Sequence, residues 1–374
     1  MGLTLQCVTK VVSGETHLRD IDLAFETGSR NVLLGRTLSG KTSLLRILAG
    51  LDRPTRGRLI IDGRDMTGVS VRKRSVAMVY QQFINYPSLT VYDNIASPLK
   101  ISGVPKKELD RRVRQTAEML HLETLLNRLP AELSGGQQQR TAIARALVKE
   151  ARLLLLDEPL VNLDYKLREE LRAELQEIFQ RREAIVVYTT TEPSEALMLG
   201  GQVAVLDEGR VLQTGPTAKV YQHPDRLRVA EVFSDPPINA LDSRVADGAA
   251  QMGENIPIPL TGHLAGLAPG KYHFAFRANH LWLSRQAADD IEINGIVELA
   301  EINGSETFIY VNHGGRSFVV QQDGVHAIGM GQPIAIFVNP CHLFAYAPDG
   351  HLVTAPSDNA SCSQPATGGV HGAH

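Results

Sequence analysis

The sequence predicts an α/β fold built on a parallel sheet, followed by a smaller all-β part. Three observations carry this. Through about residue 230, apolar strand-like runs alternate with helix-like stretches, the pattern of a parallel sheet with crossover helices. One strand-to-helix junction carries a glycine-rich loop that ends Gly40-Lys41-Thr42. After about Pro236 the helical pattern stops, and short strand-like runs separated by Gly, Asn and Asp take over.

In chain order, Arg30–Leu34 and residues 153–156 are continuous apolar runs, which suits strands buried on both faces. Each precedes a helical pattern, at Lys41–Ala49 and at residues 165–182. Residues 103–127 place apolar side chains at helical spacing among many charges. They read as part of a helical insert, spanning about 88–150, with solvated outer faces. Further on, residues 256–260, 273–277, 295–299, 307–311, 317–321 and 334–338 read as the strands of a small barrel. The expected organisation is a first domain at 1–235, a proline-containing linker at 234–237 and a β-domain at 236–355. A tail at 356–374, rich in Ser, Gly, Ala and His, is expected to be disordered. A metal role for its His371 and His374 is disfavoured.

Composition narrows the function. At roughly 150 residues per domain, 374 residues make two to three domains. The 43% hydrophobic and 21% charged content is that of an ordinary globular chain, which argues against disorder. The formal charge of −3 argues against a protein that coats nucleic acid. Cys7, Cys341 and Cys362 are far apart and odd in number, so no disulfide framework or zinc spacing is expected, and a reducing cytoplasm fits. The longest purely aliphatic run, 153–156, is far short of the ~20 residues a bilayer span needs. No basic segment followed by an apolar core opens the chain, so no signal peptide is expected.

Gly35-Arg36-Thr37-Leu38-Ser39-Gly40-Lys41-Thr42 fits the phosphate-loop pattern and lies between a predicted strand and a predicted helix. A triphosphate needs many donors in a small radius. Glycines let backbone N–H groups approach the phosphates, and the helix aims its positive end at them. Lys41 supplies a full charge at the β/γ-phosphates, and the Thr42 hydroxyl can ligate Mg²⁺. A second signal follows the aliphatic run as Asp157-Glu158-Pro159. The strand delivers Asp157 to the metal, directly or through water, and Glu158 is placed to polarise an attacking water. The third is Ser134-Gly135-Gly136-Gln137, ahead of a helical pattern. Ser134 is a good N-cap, and the glycines expose N–H groups at a helix start. This is an anion site with no base of its own, which suggests the γ-phosphate of a partner's nucleotide.

These three motifs, in this order, resemble the ATP-binding cassette (ABC) transporter nucleotide-binding subunits over roughly residues 3–235. The rest resembles, less specifically, the regulatory β-domain of carbohydrate importer ATPases of the maltose and glycerol-phosphate type. Phe276-Arg277-Ala278-Asn279-His280-Leu281 and the run from Glu301 to Thr307 fit its strands. The resemblance implies an α/β phosphate-loop ABC ATPase domain with a helical subdomain, then an all-β, OB-like regulatory domain. It implies ATP and Mg²⁺ as ligands, held by Gly35 through Ser43, with Thr42, Gln81 and Asp157 on the metal side. Gln81 matches the Q-loop glutamine, and residues 83–89 would line the contact with a membrane subunit. Asp164 matches the D-loop aspartate at a cassette dimer interface. The partners implied are two transmembrane permease subunits, a second cassette and, indirectly, an extracytoplasmic substrate-binding protein. The place implied is the cytoplasmic face of a bacterial inner membrane.

The sequence also departs from that family. The switch segment of the family reads tyrosine, an apolar residue, threonine, histidine, aspartate. Here it reads Tyr188-Thr189-Thr190-Thr191-Glu192, and no histidine lies between His121 and His223. Threonine at 191 is shorter and cannot carry a proton or positive charge to the γ-phosphate. Losing such a contact costs about 3 kcal/mol, roughly a hundredfold in rate. Val12 stands at the aromatic position that stacks on adenine, a contact of about 1–3 kcal/mol by analogy with protein–base stacking. Val161 replaces the usual D-loop serine.

The groups lost serve this chain's own nucleotide, whereas the signature at 134–137 serves a partner's. The reading is an importer ATPase that forms the degenerate half of a cassette heterodimer, with Glu158, Gln81 and Thr191 at its own slow site. A homodimer that tolerates threonine at 191 is one alternative, and a largely non-catalytic regulatory subunit is another. A soluble ABC ATPase of DNA or ribosomes would carry two cassettes or long coiled-coil inserts, and neither is visible. The β-domain and the Thr-Thr-Thr-Glu-Pro variant point to a sugar or a glycerol-like polyol as cargo.

Overall fold

The structure, a computed structural model, describes residues 2–161, 163–180, 183–253 and 255–357. The tail expectation, with His371 and His374, lies outside the described residues from 358 onward. The chain divides into two compact units, Met1–Ala218 and Lys219–His374.

The first unit begins with a four-stranded antiparallel sheet in the order β2-β1-β4-β5. Its strands are β1 (Gly2–Val12), β2 (Glu15–Glu26), β4 (Arg56–Ile61) and β5 (Arg64–Asp65). The second sheet is ordered β10-β9-β3-β8-β7-β6. It comprises β3 (Arg30–Leu34), β6 (Val76–Val79), β7 (Leu153–Asp157), β8 (Ile185–Thr190), β9 (Gln202–Asp207) and β10 (Arg210–Pro216). Strands β6, β7, β8, β3 and β9 run parallel, and β10 closes the edge antiparallel. Both faces of β7 and β8 are buried, as their unbroken apolar runs demand. Helix α1 (Lys41–Ala49) buries Leu44 and Leu48 with Leu33, Leu155, Val187 and Leu206 in one core that also takes in Leu5 and Leu59 of the antiparallel sheet. The insert contains α2 (Val91–Ile101), α3 (Lys106–Met119) and α4 (Gly135–Leu147). Helix α5 (Tyr165–Gln180) precedes β8, and α6 (Pro193–Leu199) follows it.

The second unit opens with α7 (Thr217–Gln222), which straddles the division, and α8 (Leu227–Val232). Two antiparallel sheets follow, built from β11 (Asn239–Ala246), β12 (Ala249–Met252), β13 (Ile256–Ile258), β14 (Gly270–Phe276), β15 (Leu281–Trp282), β16 (Ile291–Asn303), β17 (Glu306–His313), β18 (Arg316–Asp323), β19 (Pro333–Val338), β20 (Phe344–Tyr346) and β21 (Leu352–Thr354). One sheet is ordered β13-β12-β11-β14-β20-β21, the other β15-β19-β16-β17-β18. Their inner faces share a core that includes Phe274, Phe276, Val297, Ile309, Phe318 and Ile336. This is the all-β, OB-like domain. The side chain of Asn239 clips the two sheets together, donating to Val319 O at 2.9 Å and accepting Val319 N–H at 2.8 Å.

The division by packing falls at Ala218/Lys219, ahead of the boundary at 235 that composition suggests. A buried arginine explains the difference. Arg277 donates to Tyr221 O at 2.7 Å, Phe233 O at 3.1 Å and Ser234 Oγ at 2.6 Å, and its guanidinium lies 3.6 Å from the centroid of the Tyr221 ring. Residues 219–235 are thereby tied to the β-sheets. Cys7 is a free, exposed thiol, whereas Cys341 is disulfide-bonded, which departs from the expectation of none. Among the described residues, no helix is long and apolar enough to cross a membrane.

Candidate nucleotide-binding site

Parallel strands deliver their carboxyl ends to one edge of a sheet, so loops far apart in sequence meet there. Four segments do so here: the loop after β3, Gln81 after β6, Asp157–Glu158 at the end of β7, and Thr190–Thr191 at the end of β8.

The loop 35–40 ends on Gly40, which has φ +101° and serves as N-cap of α1. A Cβ there would also stand 2.8 Å from His17 O and from a Leu18 methyl, so only glycine fits. Arg36, Thr37 and Leu38 face solvent, and Leu38 is 95% exposed at φ +67°. Lys41 is buried. Its ammonium donates to Gly35 O at 2.7 Å and Arg36 O at 3.0 Å and pairs with Glu158 Oε1 at 3.2 Å. Burial lowers the Lys41 pKa below the usual lysine range, against the pull of Glu158. The Glu158 carboxylate also accepts from Gln81 Nε2 at 3.2 Å.

The buried Asp157 carboxylate takes two hydroxyls on one oxygen, from Thr189 at 2.9 Å and Thr42 at 3.1 Å. Burial raises the Asp157 pKa, and the two hydroxyl donors oppose the rise. Ser43 contacts the His17 ring at 3.2 Å.

These residues fit a magnesium–triphosphate group. The Ser39 hydroxyl is buried without a hydrogen-bond partner among the described residues, which leaves a donor for a phosphate oxygen at the loop. Thr42 and Asp157 supply the hard oxygen donors that Mg²⁺ prefers. When bound, the cation would neutralise charge on the phosphates.

The remaining expected site residues make contacts of their own. Val12 is 40% exposed at the end of the β1–β2 hairpin. Ser134 caps α4. Its hydroxyl accepts Gln137 N–H at 3.4 Å, and the Gln137 side chain accepts Ser134 N–H at 3.0 Å. Gly135 opens to free space, but a Cβ on Gly136 would overlap a Leu167 methyl at 1.9 Å. Asp164 caps α5 by accepting Leu167 N–H at 2.9 Å. Thr191 is half-buried between Thr190, whose hydroxyl accepts Glu192 N–H at 2.9 Å, and Glu192, which pairs with Arg168 at 2.6 Å. The segment after Gln81 is bonded to α4, through Asn85 Nδ2 to Gln138 O at 2.7 Å and through Arg145 to Ile84 O. It exposes Ile84 and Tyr86, and Tyr80, just before Gln81, is exposed as well.

The family model described as "ABC transporter" matches residues 18–161. The trehalose/maltose import ATP-binding protein MalK of Thermococcus litoralis is 38% identical over 335 residues, covering 85% of this chain and 90% of that protein. This chain is a member of the ABC transporter ATP-binding subunits. The sn-glycerol-3-phosphate import ATP-binding protein UgpC of Escherichia coli K12 is 36% identical over 323 residues, covering 86% of this chain and 90% of that protein. A dimeric ATP-binding cassette solved in a post-hydrolysis state with ADP and Pi aligns at a TM-score of 0.52 and 30% identity, over 57% of this chain and 98% of that one.

Sequence reasoning missed two features of this cassette. One is Thr189, which bonds to the Asp157–Glu158 segment. The other is Arg168, which joins Glu192 to the backbone at Leu163 O, 3.3 Å away. A hydroxyl in place of an apolar residue at 189 was the one available signal for the first.

Proposed function

We propose that this cassette powers an ABC importer for a sugar or glycerol-like polyol, as the degenerate half of a heterodimer. The observation that carries the reading is a contrast within one site. Lys41, Thr42, Gln81, Asp157 and Glu158 converge by direct contacts, yet the β8 loop beside them presents Thr191 at the switch position. ATP binds with its phosphates on the loop 35–43, where Lys41 exchanges the carbonyls of Gly35 and Arg36 for phosphate oxygens. Val12 faces the base with less area than an aromatic ring. Glu158 orients water, and hydrolysis is slow because threonine brings neither reach nor charge to the γ-phosphate.

The capped start of α4, with Ser134 to Gln137, completes the site of a second, fully equipped cassette, and Asp164 lies on the same dimer face. The exposed side chains Ile84 and Tyr86 receive a permease subunit, and the bonds of this segment to α4, through the Asn85 amide and the Ile84 carbonyl, carry its movement to the signature helix. Two permease subunits and an extracytoplasmic binding protein complete the importer. The cassette works on the cytoplasmic face of a bacterial inner membrane. The cargo class follows from the kinship with maltose and glycerol-phosphate import proteins.

Uptake of labelled glycerol, mannitol, glycerol 3-phosphate and maltose into proteoliposomes holding the co-expressed complex tests this. ATP-dependent uptake of a polyol or sugar supports it, as does faster turnover at this chain's site with Thr191→His. Uptake of none of the four contradicts the cargo. Absence of nucleotide binding to the chain favours the purely regulatory alternative.

A further inference from the structure

Strands β7 and β8 pair in parallel with Asp157 directly opposite Thr189. Thr189 is fully buried, so its hydroxyl must find partners within the protein. It donates to Asp157 Oδ1 at 2.9 Å and accepts the Glu158 N–H at 2.9 Å. A carbonyl oxygen, Leu156 O, lies at 3.4 Å, too far to compete for the single hydroxyl proton. Asp157 Oδ1 is the same atom that takes the Thr42 hydroxyl, so two donors, one on β8 and one in the first turn of α1, fix the plane of that carboxylate. Glu158 has φ +42°, a left-handed conformation that a glutamate adopts only when its surroundings hold it there. The bond from its N–H to Thr189 is one such hold.

We propose that the Thr189 hydroxyl is a positioning residue of the hydrolytic site, joining the metal-side carboxylate of Asp157 to the backbone from which Glu158 projects. The family pattern has an apolar residue at this position, which would fill the space and make neither bond. In this chain the clamp stands two residues before Thr191. It secures the two carboxylates where the switch residue does little for the phosphate. The proposal rests on the reading of Asp157 as a metal-side group.

The test uses the full chain and a fluorescent ATP analogue, titrated with Mg²⁺. Thr189→Val keeps the shape and removes the hydroxyl, Thr189→Ser restores it, and Asp157→Asn is the reference. Thr189→Val is expected to raise the Mg²⁺ concentration at half-maximal binding by on the order of tenfold, since hydrogen bonds to charged groups have about that effect. Thr189→Ser is expected to return it to within about threefold of the parent. Binding in EDTA is expected to be unchanged in both, a result that a general loss of structure would not give. An unshifted midpoint in Thr189→Val, with Asp157→Asn shifted, overturns the proposal and leaves the site reading standing. An unshifted midpoint in Asp157→Asn overturns both. A folded Thr189→Ser that shifts as far as Asp157→Asn also overturns the proposal, and this holds even if the valine variant fails to fold.

Discussion

Among the described residues, Lys41 is the one cation held directly against Glu158, and its ammonium already sits on two loop carbonyls. Removing it leaves the phosphates facing a loop without that charge. Lys41→Ala is expected to weaken ATP binding by about a hundredfold, the scale of a lost charge-assisted contact. A fluorescence titration reads this directly, and an unchanged dissociation constant would show that Lys41 does not reach the phosphates. Ser134 has a different task. Ser134→Arg is expected to leave the chain's own ATP affinity within about twofold while abolishing ATPase activity of the assembled complex. Parallel loss of ATP affinity in both variants would refute the division of labour. The convergence of Lys41, Thr42 and Asp157 and the cap at Ser134 were legible in the sequence because each motif is local: the spacing lies within a few residues. The bonds of Thr189 were not, because they come from the register of two strands separated by some thirty residues of chain.

Elements tell the same story from the other direction. Arg30–Leu34 and Lys41–Ala49 were readable to the residue, since a continuous apolar run and a helical period leave little choice. Strand β11 was not recognised, because its inward positions include Asn239 and Ser243 among apolar ones. Asn239 is inside because its amide bonds to Val319 of the other sheet, a partner that no local pattern reveals. The β-sheet unit also buries two imidazoles. His280 and His342 stack with ring centroids 4.0 Å apart. Burial drives the His280 pKa down to about 3 and lowers that of His342. Both rings therefore stay neutral in the folded protein where an unfolded histidine, at about 6.5, would take up a proton. Stability contributed by neutral His280 is fully present above about pH 6.5 and is lost as pH falls from there towards about 3. The single tryptophan, Trp282, lies in this unit and reports on it. Guanidinium unfolding followed by its fluorescence is expected to show a falling midpoint from pH 7 to pH 4, and His280→Phe is expected to flatten the slope. A slope that is the same in parent and variant would rule out the buried neutral ring as its source.

At the scale of the whole molecule, the chain carries Lys41, Thr42, Asp157 and Glu158 in direct contact, a capped helix start at Ser134 and exposed Ile84 and Tyr86. It therefore presents one site for its own nucleotide and surfaces that need other subunits. The ATPase fold and the β-domain were legible because each has its own hydrophobic period. The proposed second cassette has no such pattern, because a partner writes nothing into this chain beyond the residues it spares. The losses at Thr191, Val12 and Val161, set against the retained Ser134–Gln137 segment, are what points to an unlike partner. The most direct test is to purify the membrane complex from cells expressing the chain with its neighbouring transport genes. Every cassette is then identified by mass spectrometry, and the ATPase rate is compared with and without Glu158→Gln. The account predicts two different cassettes and a rate that Glu158→Gln lowers by less than about twofold. A complex holding this chain alone, silenced by Glu158→Gln, would contradict it and make threonine at the switch position part of a working symmetric dimer.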